Sequence, residues 1–82
     1  MTKEEFRKYI LRVMNTNEFL DWNEIASRVY ELLIAENQEI NPDYFLVTKL
    51  KGHIRTVAHE NQDKIEKMYL PTKRVGYKLK AS

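Results

Sequence analysis

Cysteine is absent from the chain, which excludes disulfide bonds and thiolate metal sites together. A chain without cysteine fits a reducing compartment. No apolar run approaches the roughly 18 residues that a transmembrane helix needs. The N-terminal segment "MTKEEFRKYI" carries acidic side chains and lacks an apolar signal core, which predicts no secretion signal. We therefore expect a cytoplasmic protein that does not associate with a membrane.

Motifs for catalysis are also scarce. The chain has two glycines, and neither a phosphate-binding glycine loop nor a Gly-x-Ser-x-Gly turn is present. The segment "HENQD" (59–63) differs from a His-Glu-x-x-His zinc motif at its last position, where Asp63 replaces the second histidine. His53 and His59 lie about 240° apart around a helix, so each is expected at a surface or an interface edge. We expect a non-enzymatic protein without a cofactor or a metal site.

The charges that are present are distributed unevenly. The 82 residues, of which 43% are hydrophobic, predict one domain covering residues 1–82. Residues 1–42 hold five basic and eight acidic side chains, whereas residues 43–82 hold nine basic and four acidic ones. This asymmetry indicates an acidic partner for the second half, with a solvated charged surface as the alternative.

Apolar periodicity predicts two helices in the acidic half. Residues 3–15 form the first, with Thr2 and Glu5 at the spacing of a capping box. Asp21 caps a second helix, whose pattern fades at Glu36. Between them, residues 19–22 form a short apolar bridge with the character of a brief strand. The buried faces of the two helices contain Phe6, Ile10, Val13 and Met14, then Ile25, Ala26, Val29, Leu32 and Leu33.

A third helix is predicted from Pro42 to about His59, with Asn41 as its N-cap. Its buried stripe consists of Leu46, Leu50, Ile54, Val57 and Ala58. Gly52 inside this helix costs about 1 kcal/mol relative to alanine. It is either a tolerated surface glycine or a position where the backbone of the helix approaches a partner closely.

The C-terminal segments 64–70 and 75–80 alternate like strands and flank the four residues 71–74, which predicts a β-hairpin. The expected inward residues are Met68, Leu70, Val75, Tyr77 and Leu79. The predicted fold class is therefore α+β, a winged helix-turn-helix of three helices plus a C-terminal β-hairpin wing. The apolar side of the hairpin would close the core that three short helices leave open.

Two basic surfaces point to nucleic acid. The exposed face of the third helix is expected to present Thr48, Lys49, Lys51, Gly52, Arg55, Thr56 and His59. Arg55 is the best candidate for a base contact, because arginine pairs bidentately with guanine. Lys73 and Arg74 at the hairpin tip are expected to meet the DNA backbone or a minor groove, with protection of the sheet edge as the alternative role for the hairpin lysines.

The segments "HIRTV" (53–57) and "RVGYKL" (74–79) resemble winged-helix DNA-binding domains of the response-regulator effector type. His53-Ile54 matches a pair in the recognition helix of that family, and Val75-Gly76-Tyr77-Lys78 matches its last strand. Arg74 stands where that pattern has a glycine, and Thr56-Val57-Ala58-His59 replaces a basic segment. The resemblance implies a stand-alone winged-helix protein without a receiver domain, with its third helix in the major groove and its hairpin as the wing.

The sequence thus predicts binding of double-stranded DNA, in transcriptional regulation or as an accessory factor. The alternative is a protein-interaction module of transcription or replication machinery, with a protein partner on the acidic first two helices. We also consider a homodimer, since one small module seldom supplies enough specificity. Single-strand binding is a minor alternative, because the tyrosines are spread over different elements and form no stacking platform.

Overall fold

The computed structural model describes residues 1–81 as a mixed α+β fold, in which three α-helices precede a two-stranded antiparallel hairpin. The sequence predicted this order. Among residues 1–81, no helix is long and apolar enough to cross a bilayer. The elements are α1 (Lys3–Val13), α2 (Trp22–Ala35), a 3-10 helix (Pro42–Phe45), α3 (Val47–Glu60), β1 (Ile65–Tyr69) and β2 (Val75–Leu79).

The predicted N-caps of α1 and α2 are confirmed. The Thr2 hydroxyl accepts a hydrogen bond from the Glu5 amide, and the Glu5 carboxylate accepts one from the Thr2 amide, each at 3.2 Å. This reciprocal pair is a capping box. The Asp21 carboxylate accepts a hydrogen bond from the Glu24 amide at 2.9 Å and so begins α2. These caps depend on neighbours in sequence, which is why the pattern alone located both helix starts.

The prediction of one continuous third helix from Pro42 is wrong, because the helical conformation is interrupted at Leu46. Asn41 does cap this segment, but it caps the 3-10 helix, and Leu46 is extended with ψ at 131°. The Tyr44 and Phe45 rings both lie against Phe6, at centroid distances of 4.8 and 5.4 Å. Because Leu46 is extended, the 3-10 segment does not continue along the axis of α3, and both of its rings pack against Phe6. Leu46, predicted to be buried, is 53% exposed.

The core is one cluster that joins all three α-helices to the hairpin. The segment before α2 takes part through Leu20, whose amide and carbonyl both hydrogen-bond to the backbone of Tyr77 at 2.9 Å. This isolated bridge confirms strand character at Leu20 alone among residues 19–22, since Trp22 already belongs to α2, and it holds β2 beside the start of α2. The fully buried side chains of the core are Phe6, Ile10, Leu20, Ile25, Val29, Leu33, Leu50 and Ile54.

The hairpin forms where the sequence predicted it, but with a register shifted by one residue. A four-residue loop would have paired Met68 with Tyr77, whereas the structure pairs Met68 with Gly76 and Lys67 with Tyr77. A shift by one residue moves side chains to the other face of a strand. Met68, predicted inward, therefore lies on the face opposite Tyr77 and is 45% exposed, while Tyr77 is buried as predicted. Val75, also predicted inward, shares the face of Tyr77 but lies at the loop end of β2 and is 40% exposed.

The cause of the shift is a three-residue loop, residues 71–73. The Lys73 amide donates to the Leu70 carbonyl at 2.9 Å, and the Leu70 amide donates to the Arg74 carbonyl at 2.7 Å. Lys73 has φ of 64°, the left-handed conformation that closes hairpins of this loop length. The position that favours glycine is thus Lys73, and Arg74, where the family pattern has its glycine, lies outside the left-handed region.

Candidate nucleic-acid interface

α3 exposes one face between two grooves, because Leu50, Ile54 and Val57 fix its opposite face in the core. The residues at the two edges of the exposed face, Lys49 and Lys51, point about 160° apart around the helix. Lys51 borders a groove shared with the hairpin, and Lys49 borders a groove shared with α1. The exposed face of α3 is therefore flanked by a cation on each side.

The hairpin-side groove has a volume of about 270 Å³. It brings the cations of α3 together with the cations of the hairpin tip. A negative ligand in this groove would face positive charge from two separate elements. Its principal lining residues are Lys51, Arg55, Lys73 and Arg74, with the aromatic rings of Trp22 and Tyr77.

Arg74 is held in place by contacts within the chain. Its guanidinium lies 3.2 Å from the carboxylate of Asp21, the N-cap residue of α2, and 5.5 Å from the centroid of the Trp22 ring. The Lys51 ammonium lies 5.3 Å from the same ring. A cation of α3 and a cation of the hairpin therefore both lie against the Trp22 ring. Asp21 offsets part of the Arg74 charge, so Lys51, Arg55 and Lys73 dominate the potential of this groove.

The α1-side groove has a volume of about 440 Å³. It lies where α1 and the 3-10 helix meet α3, and Asp43 is the acidic residue on its wall. Its three cationic side chains are those of Lys3, Arg7 and Lys49. Among residues 1–81, none of them forms an ion pair within 4 Å. The residues that carry its chemistry are Lys3, Arg7, Lys49, Gly52, His53 and Thr56.

His53 is buried, contrary to the prediction that it lies at a surface or an interface edge, and it is only 8% exposed. The rings of Phe6 and Tyr44 cover it at centroid distances of 5.4 and 5.6 Å. Its Nδ1 accepts a hydrogen bond from Arg7 Nε at 3.2 Å, which requires a neutral imidazole. Burial, followed by the charges of Arg7, Lys3 and Lys49, lowers the pKa of His53.

The structure divides the predicted site residues between these two grooves. The hairpin-side groove collects Lys51, Arg55, Lys73 and Arg74, and the α1-side groove collects Lys49, Gly52 and Thr56. Thr48 and His59 are exposed near opposite ends of α3.

The sequence analysis did not assign Trp22, Lys3 or Arg7 to the site, because it assigned the first two helices to an acidic surface for a protein partner. The spacing of Lys3 and Arg7, four residues apart on one face of α1, was the available signal.

Several acidic residues of the first half are paired within the fold. Glu36 accepts hydrogen bonds from Arg12 and Tyr9 at 2.6 and 2.8 Å, and these bonds lower the pKa of Glu36. Glu18 pairs with Arg28 at 2.6 Å. The acidic surface is thus less uniform than its composition indicated.

Gly52 lies on the exposed face of α3 with room for a side chain. Among the described residues, no atom lies within 4 Å of a Cβ built there, apart from its own helical neighbours. We expect Gly52→Ala to raise the free energy of unfolding by about 1 kcal/mol, as alanine favours a helix. If DNA approaches the backbone closely, the same variant will bind DNA more weakly. Urea denaturation and fluorescence anisotropy measure the two effects, and unchanged affinity would identify a tolerated surface glycine.

Comparisons with protein-family models, with curated proteins and with solved structures find no match to this chain. Within residues 1–81, no group of three His, Asp or Glu side chains is arranged to hold a metal ion. The geometry and the charge of the two grooves are therefore the features that bear on function.

Proposed function

We propose that this chain is a winged helix-turn-helix domain that binds double-stranded DNA without catalysing a reaction. It acts as a cytoplasmic transcriptional regulator or accessory DNA-binding factor. α2 and α3 form the helix-turn-helix, α3 lies in the major groove, and the hairpin is the wing that contacts the backbone or a minor groove.

The observation that carries the proposal is the convergence of α3 and the hairpin tip on one cationic groove. Lys51 and Arg55 reach it from α3, and Lys73 reaches it from the hairpin. Positive charge from two elements on one concave surface suits a phosphate backbone, whose contacts position a protein on DNA. Arg55 and Thr48 lie on the exposed face of α3, where side chains can reach base edges.

A salt series with a generic duplex tests this function. With four or five phosphates neutralised, the logarithm of the binding constant should fall against the logarithm of salt concentration with a slope of roughly −4. Fluorescence anisotropy at several potassium chloride concentrations gives this slope. Lys8→Gln, an exposed substitution on α1 away from both grooves, serves as the charge-matched control. Absence of binding at low salt, or affinity that is indifferent to salt, would reject the proposal.

The alternative, a protein-interaction module, is favoured by one observation. A shallow, largely apolar groove of about 570 Å³ lies between α2 and the 3-10 helix, where Tyr30, Ile40 and Phe45 meet. Exposed apolar surface of this kind can dock a protein or a second copy of the chain. If a variant lacking the charges of Lys49, Lys51 and Arg55 keeps wild-type function in the cell, this alternative is favoured over DNA binding. Light scattering would detect a homodimer.

A further inference from the structure

We propose that the α1-side groove is a second phosphate-binding site, in which Lys3, Arg7 and Lys49 hold a backbone phosphate of the DNA strand opposite the one bound at the hairpin. This inference rests on the proposed function and adds α1 to the DNA-binding surface.

The dimensions of a helix and a duplex place the two sites on different strands. An α-helix with its side chains is about 10–12 Å wide, and the major groove is about 12 Å wide. A helix that fills this groove has the phosphates of one strand on each side. The hairpin-side groove and the α1-side groove flank α3 in this way, through Lys51 on one edge and Lys49 on the other.

The charges of the α1-side groove are arranged for an anion. Lys3 and Arg7 project from α1 and Lys49 from α3, so the positive charge comes from two elements that pack against each other. Asp43 contributes the opposing charge on the wall, but it forms no ion pair within 4 Å to these cations in residues 1–81. Like charges brought together without a partner repel one another, and a bound phosphate removes that repulsion.

His53 gives the site a distinctive signature. It is buried beside the groove, and the groups that act on it are Arg7 and Lys3 from α1, Lys49 from its own helix, and Tyr44 from the 3-10 helix. Asp43 lies on the wall of the same groove. The cations oppose protonation of the imidazole in the free protein, as does burial. A phosphate held by the same cations offsets their effect, so the pKa of His53 should rise when DNA binds.

Two measurements test the site in the full chain. In anisotropy titrations, Lys3→Gln and Arg7→Gln should each weaken duplex binding about tenfold at low salt and make the salt slope shallower by about one, as expected for a lost phosphate contact. Lys8→Gln should change neither quantity. Lys3 is exposed, and its side chain forms no hydrogen bond or ion pair among residues 1–81, so Lys3→Gln remains informative if Arg7→Gln disturbs His53.

The second measurement is an NMR pH titration of both histidine rings, with and without duplex DNA. A higher pKa of His53 in the complex supports the site. The second site would be overturned if Lys3→Gln binds the duplex with wild-type affinity and salt slope, or if DNA raises the pKa of His59 alone. Either result would leave the proposed function intact. Failure of the wild-type chain to bind any duplex would instead reject the proposed function itself.

Discussion

Gly76→Ala is expected to lower the free energy of unfolding by about 1–3 kcal/mol, the usual cost of overpacking a core. A Cβ at Gly76 would lie 2.8 Å from Phe19 Cβ and 2.9 Å from Leu70 Cδ1. The Leu70 methyl group can rotate away. Phe19 cannot retreat as easily, because the next residue, Leu20, is tied to Tyr77 by two backbone hydrogen bonds of 2.9 Å.

Thermal and urea denaturation followed by circular dichroism measure this loss, which corresponds to a fall in Tm of roughly 5–20 °C for a domain of this size. Gly52→Ala is the matched control, since the same chemical change in open space on α3 is expected to stabilise the fold. Gly76 has no positive φ, so its role is to leave space rather than to permit an unusual backbone conformation. A Gly76→Ala protein as stable as the wild type would show that Phe19 does not cover β2.

Arg55→Ala is expected to cost about 1–3 kcal/mol of binding free energy at a preferred duplex, and much less at an unrelated one. Arg55 is exposed on the face of α3 between the two grooves, where it can reach a base edge. Arginine binds guanine bidentately, so its removal should relax selectivity at one base pair. Selection from random duplexes supplies the preferred sequence, and anisotropy with both duplexes gives the ratio of affinities.

Two further variants separate base recognition from simple charge. Arg55→Lys keeps the positive charge but lacks the planar fork, so it should also lose selectivity. Lys73→Asn removes a charge from the hairpin tip, and asparagine tolerates the left-handed conformation of that position, so the loop is retained. This variant should weaken binding to both duplexes equally. If Arg55→Ala also weakens both duplexes equally, Arg55 contacts the backbone and the base reading belongs to another residue.

The features predicted correctly from the sequence are those set by neighbours along the chain. Thr2, Asp21 and Asn41 each cap a helical segment through an amide two or three residues away. Such contacts need no tertiary structure. The 3.6-residue period, which identifies the buried faces of α1 and α2, is likewise a property of neighbouring residues. The alternation around Tyr77 located β2 for the same reason.

The start of the third helix and the register of the hairpin were predicted wrongly. At both places two local structures fit the sequence equally well, and contacts with distant residues select one of them. Leu46 continues the apolar period of α3, but in the structure α3 begins after it, and the preceding 3-10 segment packs Tyr44 and Phe45 on Phe6. The register of the hairpin depends on its loop, which has three residues rather than the predicted four. That difference depends on a left-handed lysine, which the sequence gives little reason to expect because left-handed positions favour glycine.

The sequence by itself determined that this chain forms three helices and a hairpin, and that its excess of positive charge lies in the second half. Only the tertiary structure decided which charges meet. Folding placed Lys3 and Arg7 of the acidic half in one groove with Lys49, buried His53 beside Arg7, and brought Lys51 and Arg74 to the ring of Trp22. Local propensities fix elements over a few residues, whereas a groove is made by side chains far apart in sequence that the core brings together.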